Sequence, residues 1–305
     1  MRYVVTGAAG FIGSHLAEAL QAAGHDIVGI DAFTDYYDPA LKEENARGLD
    51  IRRLDLAAHE LDFAGFDGVF HLAARPGVRS FGDVFPQYLR DNVLATQRVF
   101  EAAVRDGVRV VFASSSSVYG ETERYPTPED APPRPLSPYG ITKVTGEQLA
   151  RAYAGSFGLD AVVLRYFTFY GPRQRPDMAL ARVVDALTRG SSFELYGDGL
   201  QSRSFTFVAD GIEATIAAME RAAAGAVYNV GGGEEATMRQ AIETLERVSG
   251  RTLDLIERPA AAGDVRRTSA DVARIERDLG WRAMTSLADG LQAQWEWASA
   301  RVAAP

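Results

Sequence analysis

Thr6-Gly7-Ala8-Ala9-Gly10-Phe11-Ile12-Gly13 follows a strand-like run, Tyr3-Val4-Val5, and opens an amphipathic stretch over residues 12–23. In that setting each glycine has a separate task. One permits a tight turn, one lets backbone approach a pyrophosphate, and one lets the helix pack closely on the strand. The helix N-terminus then faces the phosphate charge. The stretch therefore predicts a dinucleotide site at the edge of a parallel sheet.

Working outward, short β-branched runs at residues 3–6, 26–31, 50–53, 68–71, 108–113 and 161–166 alternate with helical patterns such as 12–23 and 88–106. Strand–helix alternation predicts an α/β, doubly wound parallel sheet covered on both faces. Ser137-Pro138 reads as an N-cap and first helical residue, opening a helix to about Phe157. Beyond it the pattern is less regular. Residues 172–177 form a polar loop, a helix runs to about Arg189, and 193–199 read as strand and turn. Residues 227–230 look like another strand of the sheet. A first boundary is expected near Phe167. Residues 1–167, with sheet return segments near 205–232, then form a Rossmann domain. Residues 168–204 and 233–305 form a smaller, interleaved lobe.

Composition narrows the chemistry. The chain has no cysteine, which excludes disulfides, thiolate metal sites and a Cys nucleophile. Its four histidines lack helical ligand spacing, so no metal site is expected. A net charge of −9 argues against nucleic-acid or anionic-membrane partners. With no signal-type stretch and no long apolar run, the chain reads as a soluble cytoplasmic protein. Of its 32 Lys and Arg residues only Lys42 and Lys143 are lysines. Where charge alone suffices, this sequence uses arginine.

The second strand ends on Asp31. A carboxylate there accepts both ribose hydroxyls of NAD and repels the 2′-phosphate of NADP, so NAD is the expected cofactor. Asp55-Leu56 closes the third strand, where an adenine edge would lie. His71-Leu72-Ala73-Ala74 closes the fourth, and its small residues let a dinucleotide lie flat along the sheet edge. His71 itself reads as packed strand end rather than catalytic base.

Tyr139 and Lys143 are four residues apart on one predicted helix, so they share a face. A phenol near pKa 10 is a weak base at neutral pH, and an adjacent ammonium is expected to lower it. Lysine also offers a compact multi-donor head to a cofactor ribose. In a chain that has nearly abandoned lysine, one retained here marks a position where arginine would not serve.

These elements, with the serine run before Val118-Tyr119-Gly120 and with Tyr139-Gly140-Ile141-Thr142-Lys143, resemble the extended short-chain dehydrogenase/reductase family over essentially the whole chain. The resemblance implies NAD, a nucleotide-sugar substrate, Tyr139 as base and acid, Lys143 beside it, and Ser115 bonded to the reacting hydroxyl. It implies cofactor contacts from Gly7, Gly10, Phe11, Ile12, Gly13, Asp31, Asp55, Leu56, Leu72, Ala73 and Ala74. It adds Asn92, Ser114, Tyr139, Lys143 and Tyr166. Arg203 matches the arginine that pairs with the diphosphate, and Tyr196 the aromatic that stacks on uracil. Asp264 lies near the nucleoside ribose; Arg79 and Arg175 lie toward the sugar. A homodimer through the Tyr139 helix and its neighbour is implied as well.

Several reactions share this framework, all beginning with oxidation at C4 of the sugar. The 4,6-dehydratases carry an Asp-Glu pair where Ser116 and Ser117 stand, and UDP-glucuronate decarboxylases carry Glu at the Ser117 position. Neither serine does that acid–base work, so 4-epimerisation is the expected reaction. Asp35-Tyr36-Tyr37-Asp38, Gly77-Val78-Arg79, the serine run, Thr168 and Arg175-Pro176-Asp177-Met178-Ala179 resemble bacterial UDP-glucuronate 4-epimerases. A 4-keto-uronate is a β-keto acid that readily loses carbon dioxide. Hydroxyls of Ser116, Ser117 and Thr168 would hold its carboxylate without adding acid–base chemistry. The departures are Arg173-Gln174 in place of Trp-Gly, Ser204 in place of an acid, and Thr268 in place of a larger gate residue of galactose epimerases. Another UDP-hexose therefore stays open as substrate. A decarboxylase, a dehydratase, a simple reductase and a non-catalytic NAD sensor are the lesser alternatives.

Overall fold

Side-chain alternation along the first strand sets the layering. In β1 (Arg2–Thr6), Tyr3 and Val5 enter one core cluster and Val4 enters another, as the two-residue period of a strand requires. The computed structural model describes residues 1–77, 82–259 and 265–303. After β1 the chain forms α1 (Phe11–Ala22), β2 (Asp26–Asp31), α2 (Pro39–Asn45), β3 (Ile51–Arg53), β4 (Gly68–His71), α3 (Phe85–Tyr88), a π-helical turn (Leu89–Leu94) and α4 (Ala95–Asp106). It continues through β5 (Arg109–Ser115), α5 (Pro138–Phe157), β6 (Ala161–Tyr166), β7 (Thr168–Tyr170), α6 (Ala179–Arg189), β8 (Phe193–Tyr196) and β9 (Ser202–Phe207). The last part contains α7 (Val208–Arg221), β10 (Val227–Val230), β11 (Glu235–Thr237), α8 (Met238–Ser249), β12 (Leu255–Arg258), β13 (Arg267–Thr268), α9 (Ala273–Leu279) and α10 (Leu287–Ala303).

Seven strands form the central sheet in the order β10-β6-β5-β4-β1-β2-β3. Every pairing in it is parallel, so this is the doubly wound sheet the sequence predicts. The direction of winding reverses between β1 and β4, which opens a crevice at the carboxyl ends of those strands. One face is covered by α1, α7 and α9 and the other by α4 and α5. A third apolar cluster, built from α6, α8, α10, β8 and β9, fills the smaller lobe.

The expected strands occur with small shifts: β3 begins one residue late, and β5 runs on to Ser115. Two expectations need correction. The single helix over 88–106 begins at Phe85 and passes through the π-helical turn before α4. Of the return stretch near 205–232, only β10 joins the central sheet. β9 instead pairs with β7, β11 and β13, because alternation alone does not say which sheet a strand enters.

A buried ion pair fixes α5 to the sheet. Arg165 on β6 donates from Nε to Glu147 Oε1 at 2.9 Å and from Nη2 to Oε2 at 2.7 Å. Ser114 of β5 donates to the same carboxylate at 2.5 Å. Replacing Arg165 with Leu leaves Glu147 buried without its cation. Such a loss typically costs about 3–5 kcal/mol. Equilibrium urea denaturation of Arg165→Leu checks this; a loss below about 1 kcal/mol would mean the pair does not anchor the helix.

Candidate active site

Ser137 caps α5: its side chain accepts from the Gly140 amide at 3.0 Å, and Pro138 follows at the first helical position. Tyr139 therefore stands in the first turn and Lys143 one turn later on the same face. Both side chains reach a cavity of about 290 Å³ at the carboxyl edge of the sheet. A second cavity of about 600 Å³ lies between that edge and the smaller lobe. Tyr139, Ser115 and Arg175 line both cavities and stand where they meet.

The first cavity carries the glycine turn. Gly7 has φ +73° and sits against the Ala73 backbone, and a Cβ at Gly13 would lie 2.1 Å from the Gly7 carbonyl. Gly10 caps α1 with no side chain across the helix end. This is a cradle of backbone that a pyrophosphate fits. Phe11, Ile12, Asp31, Asp55, Leu56, Leu72, Ala73, Ala74, Ser114 and Tyr166 line the same cavity. The residues present thus fit NAD. Arg79 and Asp264 lie outside the described residues.

Asn92 is buried behind the residues that line the first cavity. Its Oδ1 accepts from the Arg75 amide at 2.7 Å, and its Nδ2 donates to the Arg75 carbonyl and the Thr142 hydroxyl, each at 3.0 Å. With its amide so engaged, Asn92 ties the cavity wall to α5 from behind.

Asp31 accepts from the Ala9 amide at 3.2 Å and the Phe33 amide at 2.7 Å, and Lys42 reaches it at 3.0 Å. Lys42 lines the cavity too, so both lysines of this arginine-rich chain stand at the nucleotide cradle. Asp55 is engaged by Arg90, and Arg90 and Arg75 both pair with Asp91. His71 is wholly buried between Thr6 and Thr96. Burial, and then Lys143, pull its pKa down to about 3, so it is the neutral strand-end residue expected.

The electrostatics of the pair differ from expectation. Burial pushes the Tyr139 hydroxyl above its ordinary value, while Arg175 and a hydrogen bond with Ser115 pull it down. Lys143 does not perform that task. Its Nζ donates to the Ala113 carbonyl at 2.7 Å and lies 5.7 Å from the Tyr139 ring centroid. Burial lowers Lys143 to about 7, against the raising influence of Glu147.

Ser115 ends β5 and caps the 3₁₀ turn Ser116–Val118, accepting from the Ser117 amide at 3.1 Å. Ser116, Ser117, Thr168, Arg175, Tyr196, Arg203 and Thr268 all line the second cavity. So do two acids, Asp177 and Glu194, each already paired with an arginine, Arg175 and Arg258.

The sequence profile of the NAD dependent epimerase/dehydratase family matches residues 3–231. A Bacillus subtilis (strain 168) protein described as an uncharacterized UDP-glucose epimerase is 40% identical, over 95% of this chain and 96% of its own length. A UDP-glucuronic acid 4-epimerase from Bacillus cereus, solved with UDP-glucuronic acid and NAD, is 38% identical with a TM-score of 0.95, covering 99% of this chain and 100% of that one. MoeE5 is 42% identical and covers 99% of this chain and 100% of its own. It has been solved with NAD and UDP-glucuronic acid at a TM-score of 0.89, and with NAD and UDP-glucose at 0.90.

Lys143 also makes stability depend on pH. Its folded pKa near 7 lies below the ordinary 10.5, so between those values the unfolded chain binds more protons. Stability from this group therefore rises as pH climbs from about 7 toward 10. Lys143→Met should lack that rise. Urea midpoints of both nucleotide-free proteins at pH 7 and pH 9.5 check it, and parallel pH responses would refute it.

Proposed function

The chain belongs to the NAD dependent epimerase/dehydratase family, and from that premise we propose that it inverts C4 of a UDP-sugar, converting UDP-glucuronate to UDP-galacturonate through a 4-keto sugar. The observation that carries this reading is the junction of the two cavities. Tyr139 and Ser115 stand there, and Ser116 and Ser117 follow where acids would be needed for elimination. Among the described residues, the two acids of the second cavity are both committed to arginines.

Tyr139 removes the proton from O4 and later returns one. Ser115, bonded to the Tyr139 hydroxyl, orients O4 and shares the proton. Bound NAD supplies the acceptor and donor for the C4 hydride. Lys143 holds the β5 carbonyl edge through Ala113 and would hold the ribose of bound NAD. Asp31, backed by Lys42, would accept from the adenosine ribose hydroxyls. Arg175 and Thr168, with the hydroxyls of Ser116 and Ser117, receive the C6 carboxylate. They keep its bond to C5 poorly aligned with the C4 carbonyl, which retards loss of carbon dioxide. Arg203 pairs with the diphosphate, and Tyr196 stacks on uracil. The same reading includes a Rossmann domain over 1–167 with a sugar-binding lobe over 168–204 and 233–305. It also includes a homodimer through α5 and the segment of the π-helical turn and α4, where Ile141 of α5 and Leu94 of that turn are exposed, and a cytoplasmic location.

A neutral UDP-hexose is the second reading. It is favoured by the small Thr268 on the wall of the second cavity.

Two measurements test the proposal. Incubation with UDP-glucuronate and NMR of the products should yield UDP-galacturonate with no added NAD. A UDP-pentose with carbon dioxide, or turnover of UDP-glucose alone, would sink the uronate assignment. Tyr139→Phe should keep bound NAD and lose turnover by at least about 10²-fold, the usual scale of general acid–base catalysis. Turnover like that of the unsubstituted enzyme would remove Tyr139 from the mechanism.

A further inference from the structure

Arg175 is already occupied. Its Nε donates to Asp177 Oδ1 at 3.0 Å and its Nη2 to Oδ2 at 3.1 Å, a side-on bidentate pair. That pair uses two of the five guanidinium N–H groups. The Tyr36 hydroxyl donates to the same carboxylate at 3.4 Å. The Arg175 side chain is 24% exposed and that of Asp177 38%, so the pair lies at the mouth of the junction with the cation inward.

The loop carrying the pair is held from both sides. Arg173 reaches Glu18 of α1 at 2.7 and 2.5 Å and His15 at 3.1 Å. Gln174 donates to the Phe169 carbonyl at 3.1 Å and accepts from Gln294 of α10 at 2.9 Å. Asp177 is therefore a fixed neighbour of Arg175 rather than a passing surface contact.

We infer that Asp177 is a specificity-determining residue, an internal carboxylate that partly neutralises Arg175 and so sets how strongly the sugar pocket prefers a charged C6 substituent. This rests on the reading that Arg175 faces C6. A neutralised guanidinium tolerates a hydroxymethyl group. A uronate must instead share the cation with a like charge, which opposes its binding. Asp177 thus broadens the site toward neutral UDP-hexoses and restrains its grip on UDP-glucuronate. It acts through Arg175 and touches no reacting atom.

The test uses NAD-loaded enzyme in the Tyr139→Phe background, where turnover is slowed by at least about 10²-fold and titration reads binding rather than conversion. Calorimetry gives Kd for UDP-glucuronate and for UDP-glucose, with and without Asp177→Asn. The substitution keeps the shape and removes the charge. Kd for UDP-glucuronate should fall about 3–10-fold, the scale of removing one partly exposed like charge. Kd for UDP-glucose should stay within about 2-fold. With Arg175→Gln also present, Asp177→Asn should leave the ratio of the two constants unchanged, since the effect passes through that guanidinium. A ratio that is unmoved by Asp177→Asn, that shifts toward UDP-glucose, or that shifts equally without Arg175 would overturn the inference. Product analysis on the unsubstituted enzyme tests the parent reading separately, because it does not depend on Asp177.

Discussion

Glu147 and Arg165 form the contact on which the catalytic edge depends. One lies on α5 and the other on β6, and both side chains are more than nine-tenths buried. The guanidinium also donates to the Tyr119 hydroxyl at 2.8 Å and the Glu129 carbonyl at 3.0 Å, and Tyr119 passes the chain of bonds to Asn229 of β10. Four segments are thereby pinned to one another through charge and hydrogen bonds. Charges this deep cost several kcal/mol to desolvate unless each lone pair and N–H is met, and here nearly every one is. The result is directional: α5 is held at one rotation over the sheet. That rotation aims Tyr139 and Lys143 at the carboxyl edge.

On this rigid floor the chemistry is arranged by partition. The nucleotide cradle occupies the winding reversal between β1 and β4, and the sugar cavity lies toward the smaller lobe. The two share the wall made by Tyr139, Ser115 and Arg175. Burial alone holds Tyr139 in its protonated form, and the groups that oppose burial are Arg175 and Ser115. Arg175 therefore meets two groups, the tyrosine that it eases and the Asp177 carboxylate that is its ion-pair partner.

Loops 34–37, 75–77 and 172–177 meet around this wall. Tyr36 bridges toward Asp177, and its hydroxyl lies so close to Gly77 that a Cβ there would approach it to 2.8 Å. These loops belong to different parts of the chain, so the shape of the sugar pocket is a joint product of both lobes.

Local geometry made several features legible in the sequence. The glycine turn, Asp31 at a strand end, the Ser137-Pro138 cap and the four-residue spacing of Tyr139 and Lys143 all follow from helix and strand periods and from backbone freedom at glycine. Scarcity of lysine pointed to Lys143 and, followed through, would have pointed to Lys42. Other features had no local signal. That the Asn92 amide meets the Arg75 backbone and the Thr142 hydroxyl, and that Arg175 rather than Lys143 eases the tyrosine, were decided only when distant segments met. The same holds for β9 joining the small sheet and for Asp177 claiming the guanidinium. Periodicity fixes which face a side chain leaves from. Which charge or amide it meets there depends on chain approaches that only the packed tertiary structure brings about.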